Sequence, residues 1–273
     1  MTTVWAVYFS GTGTTERTVT HIAGEFARLL AAPCRSLDFT RPQVRQQELN
    51  FCQSDLVVLG TPVYAGRVPN VLLPFLREKV RGGGALAVPV VLFGNRNYDD
   101  ALIELRDILR EDGFRCVAAG AFVGEHSFSR TLGAGRPDHR DMAEQSAFAR
   151  EICEKLAGQA GTEMAPVSVR GETPIRPYYT PRDRHGNPIN ILKVKPKTDP
   201  DKCGDCGLCA ELCPMGSIDP VDVSQVRGIC IKCCACVKKC PSGAKYFDDP
   251  GYLFHQHELE DVYTRRAENE WFV

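Results

Sequence analysis

Four cysteines spaced C-x2-C-x2-C-x3-C and closed by a proline occur twice near the C-terminus of this 273-residue chain. The first run is Cys203, Cys206, Cys209, Cys213 and Pro214; the second is Cys230, Cys233, Cys236, Cys240 and Pro241. The two runs start 27 residues apart and form an internal repeat. A three-residue step lets a short loop wrap one metal centre and present three thiolates to it, the soft ligand set that iron–sulfur clusters use. A pair of zinc sites is the competing reading, but zinc more usually takes C-x2-C pairs separated by about 12 residues or more. The start MTTVWAVYFSGTG lacks a signal peptide's basic segment, and no run approaches the roughly 18 apolar residues of a membrane span. Thirteen cysteines in such a chain point to reduced thiols and a cytoplasmic setting.

The first 159 residues alternate between two periods. TVWAVYF (Thr3–Phe9), DLVVLG (Asp55–Gly60), ALAVPVVLF (Ala85–Phe93) and FRCVAAGAFVG (Phe114–Gly124) are short apolar runs, with CRSLDF (Cys34–Phe39) a weaker one. Such runs suit parallel strands buried on both faces. Between them, Val19, Ile22, Ala23, Phe26, Leu29 and Leu30 have helical spacing, as do Val71, Leu72, Phe75 and Leu76, and then Leu102, Leu105, Ile108 and Leu109. A last stripe runs through Met142, Ser146, Ala149, Ile152, Cys153 and Leu156. Strand–helix alternation over this length predicts an α/β domain with a five-stranded doubly wound parallel sheet.

Residues 160–197 read as a proline-rich connector, long enough to wrap around a domain. Residues 198–250 form the cysteine-rich domain, and 251–273 a polar tail with Leu253, Phe254, Leu259, Val262 and Tyr263 suited to a helix packing back on the body. Residues 160–198 carry three acidic and seven basic side chains, and 199–250 carry eight and six, so the connector either docks on the acidic segment or, the plainer reading, simply presents a solvated surface. The whole chain has a formal net charge of −1, which gives no electrostatic case for nucleic acid. Cys34, Cys52, Cys116 and Cys153 read as packing residues, and Cys234 as a small buried side chain beside a metal centre.

The first strand ends in Ser10-Gly11-Thr12-Gly13-Thr14-Thr15-Glu16, ahead of a helix. Its hydroxyls, free amides and helix dipole suit an anion, although a tight turn would look similar. No lysine follows, so it is not a nucleoside triphosphate loop, and Glu16 stands where a dinucleotide fingerprint needs a third glycine. A phosphate monoester fits best. Two more loops follow later strands: Gly60-Thr61-Pro62-Val63-Tyr64-Ala65-Gly66 and Phe93-Gly94-Asn95-Arg96-Asn97-Tyr98-Asp99.

On these three loops the first 159 residues resemble the flavodoxin family. The resemblance implies bound FMN, with Ser10, Gly11, Thr12, Gly13, Thr14 and Thr15 at the phosphate. Thr61, Pro62, Tyr64 and Ala65 would lie against one part of the ring, and Gly94, Asn95, Asn97 and Tyr98 against the other. The stretch Gly124-Glu125-His126-Ser127-Phe128-Ser129-Arg130 departs from a short flavodoxin; His126 and Tyr98 are candidates for proton donation to a substrate. Residues 198–250 resemble bacterial two-cluster ferredoxins, a small α+β fold, in which the fourth cysteine of each run serves the other cluster. Carried over, one [4Fe–4S] cluster takes Cys203, Cys206, Cys209 and Cys240; the other takes Cys230, Cys233, Cys236 and Cys213.

The combination resembles the flavodoxin–ferredoxin fusion proteins of anaerobic bacteria and archaea. It implies an electron-transfer flavoprotein linking one-electron carriers to two-electron flavin chemistry. A ferredoxin-like donor or a reductase is the expected partner, and a homodimer is compatible with this reading. A flavin-dependent reductase of a small organic acceptor and a non-catalytic redox sensor are the alternatives. No acid–base pair or nucleophilic triad stands out, which disfavours hydrolases.

Overall fold

The computed structural model describes residues 2–158 and 165–273; the expected boundary between 159 and 160 lies outside the described residues. The apolar runs form parallel strands β1 (Thr3–Tyr8), β2 (Cys34–Asp38), β3 (Asp55–Pro62), β4 (Leu86–Phe93) and β5 (Ala119–Val123). They lie in the order β2-β1-β3-β4-β5, with Val7 of β1 opposite Leu59 of β3 and Thr61 of β3 opposite Val91 of β4. This is the doubly wound order whose ligand crevice opens at the carboxyl ends of β1 and β3, where the winding reverses. The Phe114–Gly124 run divides: Arg115–Cys116 adds a short pairing to β4 before β5 begins.

Helices α1 (Thr14–Leu30), α2 (Leu73–Lys79), α3 (Ala101–Glu111) and α4 (His139–Gly158) cover the two faces. On one face Val19, Ile22, Phe26, Phe148 and Ile152 from α1 and α4 meet Val4, Val58 and Val90 of the sheet. On the other, Phe75, Leu102, Leu105 and Ile108 meet Val57, Leu59 and Val91. Both faces are therefore dry, as the unbroken apolar runs require. Leu30, at the end of the α1 stripe, is 40% exposed because the helix has passed the sheet by then.

The connector straps the α/β body. The Val167 amide donates to the Cys116 carbonyl (3.1 Å), and the Tyr179 amide to the Ala65 carbonyl (2.8 Å). Between these points, the Glu172 and Arg176 amides donate to the buried carboxylate of Asp100, which also pairs with the Arg176 guanidinium.

The cysteine segment holds strands β6 (Lys197–Thr198) and β7 (Lys245–Tyr246), paired antiparallel, and one-turn helices α5 (Leu208–Glu211) and α6 (Ala235–Lys238). Then the tail returns. Helix α7 (Pro250–Val262) begins with the Asp249 carboxylate accepting from the Tyr252 amide (2.9 Å), a regular N-cap. Strand β8 (Glu270–Phe272) then adds antiparallel to the free edge of β5. The central sheet is thus larger than the five parallel strands read from the sequence.

Candidate functional site

The loop after β1 is built around one hydroxyl. Ser10 Oγ accepts from the amides of Gly13 and Glu16, both at 3.1 Å, while the Ser10 amide donates to Thr40 Oγ1 at 2.7 Å. Gly13, with φ 104°, turns the chain into α1. The amides of Thr12, Thr14 and Thr15 are left without a protein acceptor among the described residues, and they sit at the positive end of a 17-residue helix. That is a donor set for an anion.

The pocket in front of this loop, about 440 Å³ counting its mouth open to solvent, is lined by Gly11, Thr12, Thr14, Thr15, Pro62, Tyr64 and Gly94 from the expected set. A two-residue turn centred on Ala65 (φ 52°) and Gly66 (φ 77°) presents Tyr64, and Tyr64 and Arg67 exchange backbone hydrogen bonds at 3.0 and 3.1 Å. Burial first, then the neighbouring Cys233, Cys234 and Cys230 thiols, holds the Tyr64 phenol well above its ordinary value. Ala65 lies outside on that turn, engaged by the strap through its carbonyl. Thr61 is fully buried behind the pocket, and its hydroxyl has no partner among the described residues.

Three expected ring contacts belong elsewhere. Tyr98 is 2% exposed; its hydroxyl donates to Glu270 Oε2 (2.6 Å), and Arg170 covers its ring at 4.7 Å. With its hydroxyl given to Glu270 and its ring under Arg170, Tyr98 does not line the pocket, and burial followed by the hydrogen bond to Glu270 raises its pKa. Asn95 is buried and bound to the tail: Nδ2 donates to the carbonyls of Tyr263 (2.8 Å) and Arg265 (2.7 Å), and Oδ1 accepts from the Ala267 amide (3.0 Å). Asn97 is exposed and caps its own turn through the Asp99 amide (2.9 Å). The tail returns as the sequence led one to expect, but the contacts of Tyr263, Arg265 and Ala267 with Asn95, which no local pattern shows, hold this loop away from the pocket.

The vacant side is filled by the loop after β5. Glu125, His126 and Ser127 line the pocket. The loop is closed by the Glu125 amide on the Arg136 carbonyl and the His126 amide on the Leu132 carbonyl, both 3.0 Å. Gly124 packs closely on the anion loop: an added β-carbon would lie 3.0 Å from Thr14 Cβ. The His126 Nδ1 accepts from the Phe128 amide (3.1 Å), which leaves the ring proton on Nε2. Burial foremost, with His255, Lys238 and Arg96 nearby, pushes this imidazole down to about 3, so it is a neutral donor at physiological pH. Its unusual setting was legible only as an overlong connection.

The cysteines sort into two cavities. One, of about 330 Å³, is lined by Cys203, Cys206, Cys209 and Cys240. The other, of about 380 Å³, is lined by Cys213, Cys230, Cys233 and Cys236. Among the described residues no three Cys, His, Asp or Glu side chains converge tightly enough for a single ion. Four thiols spread around a void suit a polynuclear cluster better than one zinc. Backbone amides already aim at the sulfurs: Ser217 at Cys213 (3.4 Å), Lys232 at Cys230 (3.4 Å) and Ala244 at Cys240 (3.3 Å). Cys234 also reaches the second cavity, is 3% exposed, and its Sγ lies 3.3 Å from the Tyr252 hydroxyl.

The second cavity adjoins the pocket directly. An added β-carbon on Gly11 would lie 3.1 Å from Cys233 Cβ. Lys238 clamps the same junction, donating to the Glu125 carboxylate and to the His126 carbonyl (2.7 Å). Arg41 pairs with Glu211 at 2.9 Å, and Arg45 donates to the Pro214 carbonyl. The first cavity faces outward, with Cys206 exposed.

With this geometry in view, residues 196–219 match the family described as a 4Fe-4S binding domain. No curated protein matches the chain. Among solved structures, a flavodoxin from the domain Archaea is similar at 15% identity and TM-score 0.42, covering 57% of this chain and 99% of its own. Flavodoxin 2 from Bacillus cereus is similar at 17% identity and TM-score 0.41, with the same coverage. The rubredoxin oxygen:oxidoreductase of Desulfovibrio gigas gives 16% and 0.40, covering 59% of this chain and 37% of its own. The strand order itself defines a flavodoxin-like α/β fold. The chain joins that fold to a 4Fe–4S-binding segment, and among the described residues no helix is long and apolar enough to cross a membrane.

Proposed function

We propose that the chain is an electron-transfer iron–sulfur flavoprotein in which two [4Fe–4S] clusters and one FMN form a single path. The observation that carries this reading is the contact between Gly11 of the anion loop and Cys233 of the second cavity. Tyr64, which would bound the ring, also lies beside Cys233, Cys234 and Cys230, and such closeness favours electron transfer, which weakens steeply with separation. Bound FMN supplies two-electron chemistry, and the clusters supply one-electron steps.

Under this reading, Cys203, Cys206, Cys209 and Cys240 hold the outer cluster, and Cys230, Cys233, Cys236 and Cys213 the inner one. Thr12, Thr14 and Thr15 hold the phosphate through their amides. Pro62, Tyr64 and Gly94 bound the ring, and His126 Nε2 offers it a neutral hydrogen bond. The neutral Tyr64 and His126 add no charge beside the ring. The exposed Cys206 marks the side for a redox protein partner, and the segments 1–159, 160–197, 198–250 and 251–273 are the working divisions. With the Tyr98 hydroxyl bound to Glu270, one of the two groups expected to donate a proton to a substrate is taken, so a reductase of a small acceptor has less support.

Anaerobic reconstitution with iron, sulfide and FMN tests the assignment. Two four-iron clusters and one FMN per chain are expected, with magnetic coupling between the reduced clusters by electron paramagnetic resonance. Cys233→Ser should remove the inner cluster and retain FMN. One cluster only, or no flavin retained after desalting, would overturn the reading.

A further inference from the structure

The two cysteine runs repeat in structure as well as in sequence. Gly216 and Gly243 occupy equivalent positions with φ 59° and 66°, and the amides of Ser217 and Ala244 donate to Cys213 and Cys240 alike. One step further on, the halves differ. The first half places Ile218 there, 5% exposed and lining the cavity of Cys213, Cys230, Cys233 and Cys236. The second half places Lys245 there, 3% exposed and lining the cavity of Cys203, Cys206, Cys209 and Cys240.

A buried ammonium is costly unless an anion accompanies it. Lys245 Nζ donates to the Val223 carbonyl, and among the described residues no carboxylate lies within ion-pair distance of it. The acids nearest in sequence are engaged elsewhere: Asp248 with Lys197 (2.7 Å) and Asp249 with the Tyr252 amide (2.9 Å); Asp219 and Asp199 pair with Arg227 (2.6 Å) and Lys202 (2.9 Å). What it lines instead is the wall of the cavity shared by the four thiols of Cys203, Cys206, Cys209 and Cys240. A four-thiolate iron–sulfur cluster carries net negative charge and gains one more on each one-electron reduction.

We propose that Lys245 is the built-in counter-ion of the cluster held by Cys203, Cys206, Cys209 and Cys240. It makes that centre easier to reduce than the isoleucine-lined centre of the other half would be on this account alone. The inference rests on the two-cluster reading above. It has a second consequence. Without its cluster the segment carries an uncompensated buried charge, so cluster loading and folding of this segment are coupled.

The repeat supplies the substitution that tests this. Lys245→Ile puts into the second half what the first already carries, and Lys245→Met keeps the length without the charge. In the reconstituted full chain, a redox titration followed by electron paramagnetic resonance, with dithionite as electron donor, should show one cluster shifted in both variants. Its reduced-to-oxidised ratio at fixed potential should fall at least about tenfold, about 59 mV for a one-electron centre. Iron content should be preserved and the other cluster shifted less. Metal-free protein should respond with the opposite sign, melting higher in the variants than in wild type. Unchanged midpoints in both variants at wild-type iron content would overturn the inference. Wild-type protein that binds no second cluster would instead overturn the reading it rests on, and metal-free melting would still report whether the buried charge is costly.

Discussion

Asp112 closes α3 with a carboxylate that is 5% exposed on its side chain, 3.9 Å from Arg81, with Oδ2 unpartnered among the described residues. Burial raises its pKa to about 6. Since the folded value lies above the unfolded one, the folded state keeps the proton longer, and stability falls as pH rises from about 4 to about 6. Asp112→Asn should therefore stabilise the protein by about 1–2 kcal/mol at pH 7, with the gain vanishing near pH 4, as read by urea unfolding at both pH values. A gain independent of pH would contradict the burial explanation. At this scale the sequence was informative where chemistry is local. The three-thiol wraps follow from spacing, while the crossing of Cys213 and Cys240 came only from the resemblance to two-cluster ferredoxins; Ser10 through Thr15 form their anion loop from neighbours in sequence. Tyr98 was misleading because its hydroxyl is claimed by Glu270, 172 positions away. No local pattern reports such a partner.

Among elements, the strap and the tail were the least readable. The connector's prolines announce an extended chain but not its path, which depends on the buried Asp100 holding Glu172 and Arg176. Arg176 foremost, with those amides, holds the Asp100 carboxyl down at about 2. A depressed value means stability present above about pH 4 and lost as pH falls toward 2. Arg176→Ala should cost about 2 kcal/mol, a buried-pair loss discounted for the half-exposed guanidinium. It should also open the 165–190 stretch to limited proteolysis, while unchanged cleavage would mean that the strap is held elsewhere. Strand β8 has only three residues, Glu270, Trp271 and Phe272, too few for a period to show. The unpaired edge of β5 recruits them, protecting an edge that would otherwise be open to association. Four of the five parallel strands, β1, β3, β4 and β5, were legible for the opposite reason: they are buried on both faces, so composition alone marks them, whereas β2 is a mostly exposed edge strand, in keeping with its weaker pattern.

For the whole molecule, the sites follow one another: a cysteine cavity with an exposed thiol, a second one that adjoins the pocket, and the pocket at the switch point of the sheet. The separate halves could be read from sequence, because each carries its motif within a few residues. Their docking could not, since it is made by single long-range contacts: Cys233 on Gly11, Lys238 on Glu125, and Arg41 on Glu211. Those contacts make one chain out of two redox modules. The most direct test is anaerobic stopped-flow reduction of the chain loaded with both clusters and FMN. The account predicts that cluster and flavin bleach in kinetically linked phases, with the flavin following the clusters. A flavin that stays oxidised while the clusters are reduced, over a wide range of driving force, would contradict it.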